Sequence, residues 1–132
     1  MFLSKCILGA LVVLTSCSFF TNETSLYGKY VPVNYKVTFD TLVLKQNQIY
    51  SRKIYDKDKK IVFSTTGKWK LVNGTKIVFE NFFENFDRDL NRFPELLSDT
   101  LGGVEVVIET GLNNNSFCFG YFPGENCYNK ID

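Results

Sequence analysis

Asn73-Gly74 stands between two runs rich in β-branched and aromatic residues, 61–72 and 75–82, and constrains the fold more than any other pair in the chain. A type I′ hairpin turn needs positive φ at both central residues, and Asn-Gly accepts that backbone at little cost. The segments on either side are therefore expected as neighbouring antiparallel strands. In the returning segment Ile77 and Phe79 alternate with Lys76, Val78 and Glu80. That period of two sends one set of side chains to a core face.

The same signals recur along the chain. Residues 27–31 read as a first strand, which Pro32 ends or marks as an edge. Residues 37–45 form the next, with Leu42 and Leu44 on one face, and Gln46-Asn47-Gln48 turns the chain. Residues 49–55 follow, then a charged turn at 56–60, then 61–72, where Gly67 marks a bulge or a close backbone approach. Later come 104–110, an Asn113-Asn114-Asn115 turn, 117–122 and a last strand near 128–131. About eight strands with short connections predict an all-β fold, either an antiparallel sandwich or an up-and-down meander closed as a barrel.

One stretch breaks the meander. Phe82, Phe86, Leu90 and Phe93 recur at helical spacing, and Glu84 and Arg88 stand four apart. A helical or irregular insertion is expected near 83–101. Its aromatic residues, with Trp69, are the candidate contacts for an apolar ligand. In one reading Phe82, Phe83, Phe86, Leu90 and Phe93 form a lid over a barrel mouth. In a second they anchor a partner protein or a lipid surface. In a third they plug the barrel and complete its core. Trp69 is expected to close one end of the core, with its indole N–H finding a nearby acceptor.

The amino terminus carries a different kind of signal. Lys5 precedes an apolar run, 7–14, too short to span a bilayer, and Leu14-Thr15-Ser16-Cys17 follows. This arrangement resembles the lipobox of bacterial lipoproteins. The resemblance implies a signal peptide at 1–16, diacylglycerol on the Cys17 sulfur, and cleavage just before it. Several acyl chains make a stable anchor where a single one does not. Ser18, rather than aspartate, follows the cysteine, which in the family's sorting rule implies the outer membrane. Residues 17–25 are then the lipidated cysteine and a short tether, and 26–132 a single domain of the cell envelope.

Leu26-Tyr27-Gly28-Lys29-Tyr30, then Leu42-Val43-Leu44 before a turn and Tyr50, then Thr66-Gly67-Lys68-Trp69 before Asn73-Gly74, resemble the small lipocalin-like bacterial lipoproteins. The likeness covers roughly 26–82. It implies a small lipocalin-like barrel of eight strands that binds something apolar. An eight-stranded barrel is just wide enough to be filled by side chains or to hold one small ligand.

Charge and residue types narrow the functions. The chain has 15 basic and 14 acidic residues, and loss of Lys5 balances them. A neutral chain with no basic tract is a poor partner for nucleic acid. With no histidine, Ser-His and Cys-His nucleophile pairs are excluded, and catalysis is not expected. The carboxylate pairs Glu80/Glu84 and Glu105/Glu109 read as solvated faces. Asp56-x-Asp58 opens like a calcium loop but has Ile61 where that loop needs glycine. No metal or other cofactor is expected.

Of four cysteines, Cys6 leaves with the signal peptide and Cys17 takes lipid, so Cys118 and Cys127 remain. In an oxidising compartment they are candidates for a disulfide. A two-residue turn at Pro123-Gly124 would set them diagonally, too offset for an easy bridge, whereas a four-residue loop at 121–124 would set them directly opposite. The other reading is two small buried hydrophobes.

Two functions follow. One is a lipid-anchored module holding a small apolar ligand in its barrel. The other is a protein-interaction or inhibitor-type surface lipoprotein with a filled barrel. Both rest on the anchor, so Cys17→Ser should move the protein from the detergent phase to the aqueous phase on phase separation. The intact mass should then retain residues 1–16 and lose the acyl chains.

Overall fold

The computed structural model describes residues 21–82, 87, 102–110, 115–119 and 124–132. A short helix, α1 (Glu23–Leu26), leads into eight strands: β1 (Gly28–Pro32), β2 (Phe39–Lys45), β3 (Ile49–Tyr55), β4 (Ile61–Val72), β5 (Lys76–Phe79), β6 (Val104–Thr110), β7 (Asn115–Cys118) and β8 (Cys127–Lys130). Each strand pairs antiparallel with the next, and β8 pairs back to β1, so the sheet is a closed up-and-down barrel. This is the all-β meander expected from the turn signals, in its barrel form. Closure leaves no unpaired sheet edge to template aggregation.

The turns do what their residues dictate. Asn73 and Gly74 both take positive φ, 53° and 67°. The ladder resumes one residue later than a two-residue loop would allow, with Val72 opposite Lys76. Asn47 and Gln48 also take positive φ, in the 3-10 turn Gln46–Gln48 between β2 and β3. In the turn between β3 and β4, the Asp56 carboxylate accepts from the backbone N–H of Asp58 and of Lys60, both at 2.9 Å.

Several boundaries move: β1 spans Gly28–Pro32, β5 ends at Phe79 rather than 82, and β8 spans Cys127–Lys130 rather than 128–131. β2 begins at Phe39 rather than 37, because the backbone N–H groups of Val37 and Thr38 are bound by the Asp87 carboxylate and are lost to a ladder. β7 begins at Asn115, inside the expected turn, and runs only to Cys118. The expected insertion at 83–101 lies outside the described residues, apart from Asp87.

Inward positions alternate along every strand. Asp40, Leu42 and Leu44 of β2 are buried, as are Tyr50, Arg52 and Ile54 of β3 and Ile77 and Phe79 of β5. The barrel has two distinct ends. At the N-terminal end the Thr21 N–H donates to Gly74 O and α1 inserts Leu26, which is 0% exposed. The Asn115 side-chain amide and Lys130 Nζ both donate to Ser25 O, which fixes α1 across that opening. The opposite end carries the connections β1–β2, β3–β4, β5–β6 and β7–β8.

Gly67 resolves as a close approach. It lies opposite Tyr50, whose ring covers its backbone: a Cβ there would stand 2.5 Å from the Tyr50 ring carbons. The irregularity lies instead at Val62 on β4, which is skipped between the pairs Ile54–Phe63 and Tyr55–Ile61. Gly67→Ala should therefore lower stability by about 1–3 kcal/mol through overpacking, measured by urea unfolding. Gly102→Ala, where a Cβ would meet nothing within 4 Å, should leave the midpoint unchanged.

Candidate functional site

The chemistry of the molecule collects at the end opposite α1. Asp40 lies on the inward face of β2 and Arg52 on that of β3, in diagonal register: Asp40 faces Ile54 and Leu42 faces Arg52. Both side chains are fully shielded, and Arg52 Nη2 sits 2.7 Å from Asp40 Oδ2. Arg52 Nε adds contacts of 3.1 and 3.2 Å to the two carboxylate oxygens. The Tyr128 hydroxyl, from β8 across the barrel, donates to Asp40 Oδ2. A buried pair of this kind persists when several hydrogen bonds offset the cost of desolvating two charges.

The other side of the guanidinium is covered by aromatic carbon. Arg52 Cζ lies 4.3 Å from the centroid of the Phe82 ring. Phe82 is placed there by the start of the β5–β6 connection. The Tyr50 hydroxyl donates to Glu80 O and Asn81 O, each at 2.9 Å, and the Glu80 N–H donates to Lys68 O. Phe82 then stacks on Phe119 at 5.0 Å and meets Phe79 at 4.7 Å.

The electrostatics follow from this burial. Desolvation alone would push the Arg52 guanidinium down. The Asp40 charge, Tyr128 and the hydrogen bonds to both outweigh it and hold the guanidinium above its ordinary value. Burial, reinforced by the Asp40 charge, raises the Tyr128 phenol well above the usual range, so it stays a donor. Tyr35 lies edge-on to Tyr128 at 6.1 Å and is pushed up to about 12, chiefly by burial, with a hydrogen bond to Tyr128 working against the rise.

Outside the barrel wall, Tyr35 also lines an open cleft of about 450 Å³ with Val33, Asn34, Asp87, Gly124, Asn126 and Cys127. The Asp87 carboxylate accepts from three successive backbone N–H groups, of Lys36, Val37 and Thr38, each at 2.8 Å. Partial burial favours its protonation, but the three donors outweigh that and hold its carboxyl below the ordinary range. Asp87 thus ties the β5–β6 connection to the β1–β2 loop. The cleft offers hydrogen-bonding groups and one committed carboxylate, and among the described residues its lining sets no nucleophile beside a base.

The expected site residues scatter. Trp69 is buried at the N-terminal end, with its indole N–H donating to Ile49 O at 3.2 Å and its ring edge-on to Tyr27. Phe82 belongs to the aromatic cap over Arg52, so the two do not meet as one pocket wall. Phe83, Phe86, Leu90 and Phe93 lie outside the described residues, as does Cys17. Cys118 and Cys127 stand directly opposite each other and are joined by a disulfide, their Cα atoms 3.9 Å apart. Glu105 and Glu109 are exposed, with Glu105 paired to Lys76 at 2.8 Å. Glu80 is described but Glu84 is not. Among the described residues no three of Cys, Asp and Glu come together as a metal site.

Asp40, Arg52, Tyr128 and Asp87 were not singled out by the sequence reading. For the first two a signal was present: Asp40 is in phase with Leu42 and Leu44, and Arg52 lies between Tyr50 and Ile54 at the same period. Opposite charges on the core faces of two adjacent strands announce a buried pair. Asp40→Ala or Arg52→Ala alone should cost about 3–5 kcal/mol, because each leaves an uncompensated buried charge. The double change Asp40→Leu/Arg52→Leu should cost clearly less than the sum of the two, as read by a double-mutant cycle of chemical denaturation.

No protein-family model matches the chain, and no curated protein matches it. Among solved structures it is similar to the NMR structure of a protein from Bacteroides thetaiotaomicron VPI-5482, with a TM-score of 0.53 over 86% of this chain and 95% of that one. The two share 12% of their residues, so the likeness is one of fold.

Proposed function

We propose that this protein is a lipid-anchored lipoprotein of the bacterial cell envelope, held at the outer membrane through Cys17, that works as a protein-interaction module with a filled barrel. The observation that carries this reading is what occupies the interior. Trp69, Arg52, Tyr30, Tyr50, Tyr128, Phe79 and Phe117 are all less than 2% exposed. Their rings touch in sequence across the barrel: Tyr30 meets Phe117 at 4.7 Å, Phe117 meets Phe79 at 5.9 Å, and Phe79 meets Tyr50 at 5.5 Å. An eight-stranded barrel has room either for such side chains or for one small ligand. Leu26 closes one end, and the Asp40–Arg52 pair under Phe82 occupies the interior toward the other.

This arrangement favours the interaction reading over the ligand-holding one. An apolar ligand entering past Phe82 would have to displace aromatic contacts and lie against a buried charge pair, which disfavours it on both counts. The lipobox resemblance at Leu14-Thr15-Ser16-Cys17 supports the anchor, and the disulfide between Cys118 and Cys127 suits an oxidising compartment.

Native mass spectrometry of the chain from Ser18 onward tests the filled barrel. A bare mass is expected, together with no uptake of an apolar fluorescent probe. A co-purifying small molecule lost on denaturation would overturn the reading and restore the ligand-binding one.

A further inference from the structure

The outer wall carries one contiguous apolar surface that the fold leaves uncovered, at the end opposite α1. Phe39 of β2 lies opposite Tyr55 of β3, and Tyr55 lies opposite Ile61 of β4. Phe39 is 53% exposed, Ile61 54% and the neighbouring Val62 41%. Val62 projects outward because the irregular register between Ile54 and Tyr55 leaves it without a partner on β3. Between Phe39, Tyr55 and Lys59 is an apolar hollow of about 280 Å³. These residues form no part of the core cluster. Exposed apolar surface of this extent marks a contact site.

The rim of the patch is basic. Lys53 lies on the same outer face, and Lys57, Lys59 and Lys60 crown the adjoining turn; all four are exposed. Among the described residues the only ion pairs are Arg52–Asp40 and Lys76–Glu105, so the four ammonium groups hold no carboxylate there. Asp56 directs its carboxylate into its own turn, where it accepts two backbone N–H groups, and only Asp58 stands among the lysines as an outward acid.

The geometry points to this patch, Phe39–Tyr55–Ile61–Val62 within its lysine rim, as the docking surface for an acidic segment of a partner protein that also presents apolar side chains. The inference rests on the proposed anchoring for its orientation. Thr21 is bonded to Gly74 at the α1 end, and four residues from Cys17 to Thr21 reach at most ~14 Å. The α1 end therefore faces the lipid. β4 runs from Val72, beside Gly74, to Ile61, a path of roughly 35 Å along the strand. That length carries the patch away from the anchoring membrane, where a protein rather than its own bilayer meets it. The lysines steer an acidic partner, and the apolar centre excludes water from the contact.

The test is photocrosslinking of the full chain in its own host's envelope. A benzophenone amino acid replaces Phe39 or Ile61 in separate variants, and Val107, 56% exposed on β6, is the control position. All three positions are surface sites, so one badly folded variant still leaves another to report. The expected result is a discrete protein adduct from positions 39 and 61 and none from 107, with the crosslinked partner peptide acidic. Lys57→Glu/Lys59→Glu/Lys60→Glu together should reduce that adduct by about tenfold or more. Adducts to lipid, to glycan or to a second copy of this chain would overturn the proposal, as would a folded protein that gives none. The intact mass of the same sample reads Cys17 independently. An unlipidated chain with the acidic adduct overturns the anchor alone, and a lipidated chain without it overturns the docking surface alone.

Discussion

β1 meets β8 through Tyr30 opposite Lys130, Val31 opposite Asn129 and Pro32 opposite Tyr128, and closure of the barrel rests on those pairings. Without them the sheet would open and present two bare edges. The contact is tight enough to dictate sequence. Gly28 takes φ of 142°, and a Cβ there would stand 2.6 Å from Lys130 Cε and 2.9 Å from the Asp132 carbonyl. The Lys29 N–H is held by an Asp132 carboxylate oxygen at 2.6 Å, and the Ile131 N–H donates to Lys29 O. Ile131 and Asp132 thus hold β1 in place, and closure of the barrel needs both β1 and β8.

Closure also fixes the volume to be filled. Leu26, Leu44, Trp69, Ile77 and Ile108 pack with Tyr30, Tyr50, Phe79 and Phe117 in one core cluster. Toward the far end, aliphatic filling gives way to Asp40, Arg52 and Tyr128. Aromatic rings fill a narrow barrel efficiently, but a tyrosine brings a hydroxyl that needs a partner when buried. Each has one: Tyr30 donates to Leu26 O, Tyr50 to Glu80 O and Asn81 O, and Tyr128 to Asp40. The polar atoms therefore tie strands and connections into a single register. Tyr30 holds α1, Tyr50 holds the exit from β5, and Tyr128 links β8 to β2 across the lumen.

Much of this was legible because β structure writes a period of two. Asn73-Gly74, the inward Ile77 and Phe79, and the strands 49–55, 61–72 and 104–110 all follow from local rules, which left Gly67 open between a bulge and a close approach. What stayed hidden depended on distant groups. The start of β2 is set by Asp87, some fifty positions away, and a chain read segment by segment holds no trace of that bond. The relation of Cys118 to Cys127 depended on the register of a loop, and two registers fitted the same residues. The Asp40–Arg52 pair was written in the alternation of strands 37–45 and 49–55, but which inward residues meet depends on the register between them. Phe82 fell in a stretch whose helical spacing drew attention away from its immediate neighbour, Asn81, whose carbonyl is held by Tyr50.

A filled barrel moves function to its outer wall. With a period of two, each inward residue is committed to volume or to a hydrogen bond, and each outward residue is released from both. Outward positions then settle toward polar residues unless something opposes it, as they do at Thr41, Lys53 and Ser64, one step along from Phe39, Tyr55 and Ile61 on the same face. The contrast within one face is informative. The same three strands present a polar row and, one pair farther out, the apolar row Phe39–Tyr55–Ile61, whose outer two members are more than half exposed. Strand propensity and cross-strand pairing favour aromatic and β-branched residues over lysine or serine there, so part of the choice serves the sheet itself. The apolar row adds nothing to the folded interior, and contact with another molecule would supply the burial that the barrel itself withholds.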